Sequence, residues 1–228
     1  MDLVASTDML VAGTHFLPDA EPEALGWKAL AVNLSDLAAM GAQPRWALIA
    51  AALPEADERW IAAFARGLIA CADAFGVDLI GGDTTRGPLN LTPTVFGEVP
   101  QGQALTRAGA QAGDELWVSG TPGLAALGLA QRQGKVSLHG TAIATCQAAL
   151  DRPQPRVALG LALRGLATAA IDVSDGLIAD IGHILERSAL AADIEFALLP
   201  RAALDCGADA ALAEQCLLAG GDDYELAF

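Results

Sequence analysis

Along this chain short apolar runs alternate with alanine-rich stretches of helical period, and that alternation predicts a mixed α and β protein. The runs at residues 3–7, 46–53, 77–80, 89–99, 115–119, 169–173, 194–198 and 224–228 read as strands. A helix is predicted over residues 22–40. It opens on Glu21, Pro22 and Glu23, as a positive helix start favours, and stops at Gly41. A second is predicted over residues 56–75, ending at Gly76. In the first helix Trp27, Leu30, Ala31, Leu34, Leu37 and Ala38 share one stripe, the side expected against a core. Asn33 and Asp36 lie outside it with Ala29 and Met40, so Asp36 reads either as facing a metal or as half of a solvated polar pair. Glycines gather between residues 97 and 113 ahead of a new strand. A domain boundary is therefore expected near Thr106, giving domains 1–106 and 107–228.

The 228 residues are 53% hydrophobic and 18% charged, ample for a buried core. The longest uncharged segment, residues 116–131, is broken by Ser119, Gly120, Thr121, Pro122 and Gly123, so no membrane span is expected. No basic stretch followed by an apolar one opens the chain, which reads as cytoplasmic. Cys71, Cys146, Cys206 and Cys216 are widely spaced and read as buried thiols. Acidity changes the picture most. With 28 Asp and Glu against 13 Lys and Arg, a formal charge of −15, and only Lys28 and Lys135 as lysines, the chain lacks the basic face that nucleic acid requires. A phosphorylated ligand would need cations between itself and the protein.

Three apolar runs end on carboxylates: Ala5-Ser6-Thr7-Asp8, Ile80-Gly81-Gly82-Asp83-Thr84 and Ile171-Asp172-Val173-Ser174-Asp175-Gly176. Magnesium commonly takes one or two protein carboxylates and completes its shell with water and phosphate oxygens. Strand ends hold such ligands rigidly, and Gly81, Gly82 and Gly176 are expected to let phosphate approach the backbone. Each run also has an ordinary reading: Ser174 or Asp175 as a helix cap, Asp83 as a turn residue. A further acidic cluster is Gly220-Gly221-Asp222-Asp223-Tyr224-Glu225. The G-x-x-x-x-G-K-[ST] loop is absent, as are protein-kinase signatures. Arg107 is a candidate cation for phosphate oxygens, or a surface residue.

Thr7-Asp8-Met9-Leu10 with His15-Phe16, the block from Gly26 through Asn33-Leu34-Ser35-Asp36 to Gly41, Gly81-Gly82-Asp83-Thr84, Thr106-Arg107-Ala108-Gly109-Ala110, Ile171 to Leu177 and Gly220 to Leu226 together resemble the thiamine-monophosphate kinase family. Its wider superfamily includes aminoimidazole-ribonucleotide synthetase, selenophosphate synthetase and a hydrogenase maturation factor. The resemblance implies a two-domain α+β fold of the aminoimidazole-ribonucleotide synthetase type, a homodimer paired through the N-terminal sheet, and ATP-dependent phosphorylation of thiamine monophosphate to thiamine diphosphate. It implies magnesium ligands at Ser6, Thr7, Asp8, Asp36, Asp83, Asp172 and Asp175, and ATP contacts at Gly82, Asp83, Arg107 and Ser174. His15 and Asp222 are the implied substrate contacts, Asp222 standing where the family usually carries a longer Glu. Transfer is expected to be direct, within a magnesium cluster and without a covalent nucleophile. The family pattern also includes an N-terminal Gly-Asp-Asp segment and a C-terminal aromatic that this sequence lacks, so the chain reads as truncated at both ends. The alternative expectations are a non-catalytic remnant that dimerises and binds nucleotide, or another superfamily enzyme such as aminoimidazole-ribonucleotide synthetase or selenophosphate synthetase.

Overall fold

The computed structural model describes all 228 residues, Met1–Phe228, and the chain divides into two compact units. The first comprises Met1–Ala104 together with Val157–Leu161. In chain order it contains β1 (Asp2–Thr7), β2 (Leu10–Val11), α1 (Pro22–Ala39), β3 (Gln43–Leu53), α2 (Glu58–Phe75), β4 (Asp78–Arg86) and β5 (Asn90–Val99). The sheet order is β1-β5-β3-β4, with β2 also on β5. β3 and β4 are parallel, joined through α2, and the other pairings are antiparallel. Along β5 burial alternates strictly, Leu91, Val95 and Val99 facing inward, the period-two signature of a sheet with one covered face.

α1 is covered on nearly every side, which corrects the amphipathic expectation. Besides Leu30, Ala31, Leu34, Leu37 and Ala38 of the predicted stripe, Lys28, Asn33 and Ser35 are also buried, while Trp27 is half-buried. The helix starts as the sequence predicts, the Glu21 carboxylate accepting from the Glu23 and Ala24 amides. It meets α2 at two glycines. A Cβ on Gly26 would lie 2.0 Å from the Phe64 carbonyl oxygen and one on Gly67 would lie 1.7 Å from that of Glu23, so the two backbones touch where only glycine fits. α2 is capped by Asp57 and closed by left-handed Gly76.

The second unit comprises Leu105–Arg156 and Ala162–Phe228. Its elements are α3 (Leu124–Arg132), α4 (Thr141–Asp151), the end of α5 (Val157–Leu163), β6 (Ile171–Val173), α6 (Leu177–Ser188), α7 (Ala210–Ala219) and β7 (Glu225–Ala227). β6 and β7 pair antiparallel, and Val118 bridges to Ala227. One core gathers Leu124, Leu127, Leu138, Cys146 and Leu217; another gathers Ile171, Val173, Leu177, Ile181 and Ile184. Of the strand expectations here, residues 115–119 run antiparallel beside β7 only briefly, Trp117 and Phe228 exchanging amide bonds at 2.8 and 3.0 Å and the Ser119 amide donating to the Leu226 carbonyl at 2.9 Å around the Val118–Ala227 bridge. Residues 194–198 fail as a strand and hold a 3-10 turn at Phe196–Leu198, with no strand paired beside them. Cys71, Cys146 and Cys216 are buried free thiols, while Cys206 is only partly buried, its Sγ 3.7 Å from that of Cys146. No helix is long and apolar enough to cross a membrane.

Candidate functional site

β1 ends against α1, and the second stripe of that helix explains what holds the strand end. The Ser6 hydroxyl donates to Asp36 Oδ2 at 2.5 Å. Two residues on, the Asp8 backbone N–H donates to Asn33 Oδ1 at 2.8 Å, while Asn33 Nδ2 donates back to the Ala29 carbonyl at 3.1 Å. Asn33 and Asp36 are therefore not a solvated pair: Asn33 is fully buried, and both reach across to β1. Strand alternation turns Thr7 the other way, its hydroxyl donating to the Pro93 carbonyl at 2.9 Å and lying 3.0 Å from Thr94 Oγ1. The result is a hard-oxygen pair, Ser6 and Asp36, on a rigid frame, with the Asp8 backbone pinned two residues on.

Asp83 stands differently from the strand-end expectation. β4 runs on through Gly81 and Gly82 to Arg86, so Asp83 is in mid-strand, exposed, paired in register with Ala50. Its Oδ1 accepts from the Thr84 amide at 2.9 Å. The register shifts between Ala47 and Leu48, leaving Ile80 as the extra residue of a β-bulge just before the glycines; Gly81 and Gly82 pair with Leu48 and Ile49, and a Cβ on Gly82 would lie 1.9 Å from the Ile49 carbonyl oxygen. His15 is exposed in the turn after β2; its Nδ1 accepts from the Val11 amide at 3.1 Å, which leaves Nε2 as the outward, hydrogen-bearing nitrogen of the neutral ring.

In the second unit β6 carries Asp172, which is buried, and leads into the Ser174-Asp175-Gly176 turn, where Asp175 is exposed. The amides of this turn do not face outward. Ser174, Asp175 and Gly176 all donate to one oxygen, Asp180 Oδ2, at 3.0, 3.0 and 3.2 Å. The expectation that Gly176 opens the backbone to phosphate is thereby corrected: a carboxylate of the chain itself occupies that position. Burial pushes the Asp180 carboxyl above the usual carboxylate range, against the pull of the three amides. Only an acid in the first turn of a helix signals Asp180 in the sequence, a pattern too common to single it out.

The Gly220–Glu225 segment lies against the same turn. The Asp222 amide donates to the Ser174 carbonyl and the Tyr224 amide to that of Val173, both at 2.8 Å. Asp222 and Tyr224 adopt left-handed φ of 68° and 52°, costly for residues with a Cβ, and the Tyr224 hydroxyl donates to Asp222 Oδ1 at 3.0 Å. Asp223 accepts from the Gly123 amide at 2.8 Å at the start of α3; burial, aided by the charges of Glu225 and Asp222, pushes its carboxyl up to about 7. Glu225 is buried and takes both Nε and Nη2 of Arg156 at 2.5 Å, with Ser119 Oγ at 2.6 Å. Arg107 is exposed on a loop pinned by the Thr106 hydroxyl, which donates to the Ala108 carbonyl at 2.7 Å.

No three His, Cys, Asp or Glu side chains of this chain converge closely enough to hold a metal ion by themselves. What it offers instead is pairs of oxygen donors on fixed backbone, such as Ser6 with Asp36. Pairs suit magnesium, which completes its shell with water and phosphate oxygens.

The family model for the N-terminal domain of AIR synthase related proteins matches residues 1–99. The thiamine-monophosphate kinase of Escherichia coli K12 is 50% identical over 99% of this chain and 70% of its own length. The crystal structure of thiamine-monophosphate kinase from Stenotrophomonas maltophilia superposes with a TM-score of 0.93 at 51% identity, over 100% of this chain and 74% of that one. AaThiL complexed with AMPPCP and TMP superposes with a TM-score of 0.85 at 31% identity, covering 99% and 74%. With half of its residues shared over nearly its whole length, this chain belongs to the thiamine-monophosphate kinase family.

Proposed function

We propose that this protein transfers the γ-phosphate of ATP to thiamine monophosphate, giving thiamine diphosphate. The observation that carries the reading is the 50% identity over 99% of the chain to a thiamine-monophosphate kinase. The chemistry follows from the residues. The acceptor is itself a phosphate oxygen, so no side chain need act as nucleophile; two polyanions must be brought together in line on a protein of charge −15. Bound magnesium supplies the charge neutralisation that this requires.

The proposed ligands are Ser6, Thr7, Asp8, Asp36 and Asp83 in the first unit and Asp172 and Asp175 in the second. Gly82, Asp83, Arg107 and Ser174 are the proposed ATP contacts. His15, through its outward Nε2, and Asp222 are proposed to meet thiamine monophosphate. Support comes from the Ser6–Asp36 pair, where a helix carboxylate and a strand hydroxyl already share one corner at 2.5 Å. A homodimer is proposed to form through the first sheet, where Leu3 and Ile80 are 65% and 57% exposed.

The test is direct. The purified chain, given ATP, magnesium and thiamine monophosphate, is expected to form thiamine diphosphate and to lose that activity in chelator. A folded chain that binds nucleotide in the presence of magnesium without forming product would refute the reading in favour of a non-catalytic member of the family.

A further inference from the structure

The Ser174-Asp175-Gly176 turn is an unusual place for an internal carboxylate. Three successive backbone N–H groups converging on one point form a ready concavity for an anion. Here Asp180 Oδ2 fills it at 3.0 to 3.2 Å, and Asp180 is itself buried. The turn is also held from its other side. A Cβ on Gly221 would lie 2.6 Å from the Ser174 carbonyl oxygen, and one on Gly176 would lie 3.0 Å from Ala219. The Asp222 amide bonds that same Ser174 carbonyl at 2.8 Å. One carboxylate thus sets the turn bearing Asp175, and the turn sets the segment bearing Asp222.

We infer that Asp180 is a positioning residue for phosphoryl transfer: it neutralises the amides of the 174–176 turn and registers Asp175 and Asp222 together. The inference rests on the proposed kinase reading for its reaction, but its geometry does not depend on it. Because the amides are spent on Asp180, a nucleotide meets this turn through side-chain oxygen and cations, in keeping with an acidic protein. Asp180 touches no substrate in this account and acts only through the residues it holds.

Four variants test it: Asp180→Asn keeps an acceptor oxygen at the same reach; Asp180→Ala removes it; Asp180→Glu keeps the charge but moves the oxygen; and Asp209→Ala removes a cap elsewhere, where Asp209 accepts from the Ala211 and Leu212 amides. Asp180→Ala and Asp180→Glu are expected to lose about 10²-fold in kcat/KM, the scale of a misplaced reacting group, with KM for ATP raised. Asp180→Asn should retain most activity, and Asp209→Ala should lower the melting temperature without changing kcat or KM. Amide hydrogen exchange on ligand-free protein is the second readout: Asp180→Ala and Asp180→Glu should speed exchange at both residues 174–176 and 222–224, Asp180→Asn at neither. If Asp180→Ala does not fold, the contrast between Asn and Glu carries the test. Equal activity in Asp180→Glu and wild type, or exchange unchanged in both segments, overturns the inference. An inactive wild type would overturn the kinase reading and the catalytic part of the inference, while exchange would still decide the registration.

Discussion

Replacing Arg156 with alanine leaves Glu225 buried without its cation, and the structure sets the size of the effect. Glu225 then keeps two neutral donors, the Ser119 hydroxyl and the Thr121 amide at 3.3 Å, in place of a bidentate guanidinium. Removing one partner of a fully buried pair typically costs about 3–5 kcal/mol. The Arg156 side chain is 38% exposed against 5% for Glu225, so water screens one side and the cost falls below that range, to about 2–3 kcal/mol. The cost should fall on the second unit, since Glu225 begins β7, which pairs with β6. Native-state amide exchange over residues 225–227 in Arg156→Ala reads it locally, where a whole-protein melt would average two units. Adding Glu225→Gln to Arg156→Ala should recover part of the loss, because the orphaned charge is gone, giving a coupling energy of about 1 kcal/mol or more. A loss below about 0.5 kcal/mol in Arg156→Ala, with no coupling, would refute the reasoning by showing Glu225 to behave as an exposed surface carboxylate.

Asp223 predicts a pH dependence of opposite sign to that of an ordinary paired carboxylate. Its folded value, raised to about 7 from 3.8, makes its contribution to stability full below about pH 3.8 and progressively lost as pH rises to about 7, by at most about 4 kcal/mol. Urea denaturation of wild type and Asp223→Asn should give a difference that grows between those limits, and a constant difference would exclude the shift. Gly67→Ala should destabilise the first unit by more than about 3 kcal/mol, because its Cβ would sit 1.7 Å from the Glu23 carbonyl oxygen; circular dichroism during thermal melting measures it. Asp83→Asn, at an exposed position, should weaken magnesium-dependent ATP binding in calorimetry at least tenfold while the melting temperature stays within a few degrees. Unchanged binding would mark Asp83 as a strand residue only.

The parts of this molecule legible in its sequence are those where local chemistry and tertiary packing agree. α1 and α2 announce themselves through Glu21, Pro22 and Gly76, whose roles are local. Asn33 and Asp36 stand out because they share a stripe with Ala29 and Met40 away from the apolar one, and the structure shows both tied to the end of β1, Asp36 through Ser6 and Asn33 through the Asp8 amide. β4 is misjudged at its end because glycines usually stop strands, whereas Gly82 here permits a close approach to Ile49 just past a bulge that only the partner strand reveals. Residues 194–198 have strand-like composition without a strand to pair with, and the missing partner decides. Asp180 and Arg156 are invisible for a related reason: their partners are amides of a folded turn in one case and a carboxylate 69 positions away in the other.

The placement of β1 has a consequence for how the protein is made. β1 occupies one edge of the first sheet and pairs only with β5, Asp2 opposite Val99 and Thr7 opposite Thr94. During synthesis at about 5–20 residues per second, β1 leaves the ribosome roughly 5–20 s before the strand that completes it. Val157–Leu161, which belong to the same unit, arrive later still. The Ser6–Asp36 pair therefore joins a strand and a helix that both leave the ribosome before β5, the only strand on which β1 can dock, so this corner is fixed only after the sheet closes.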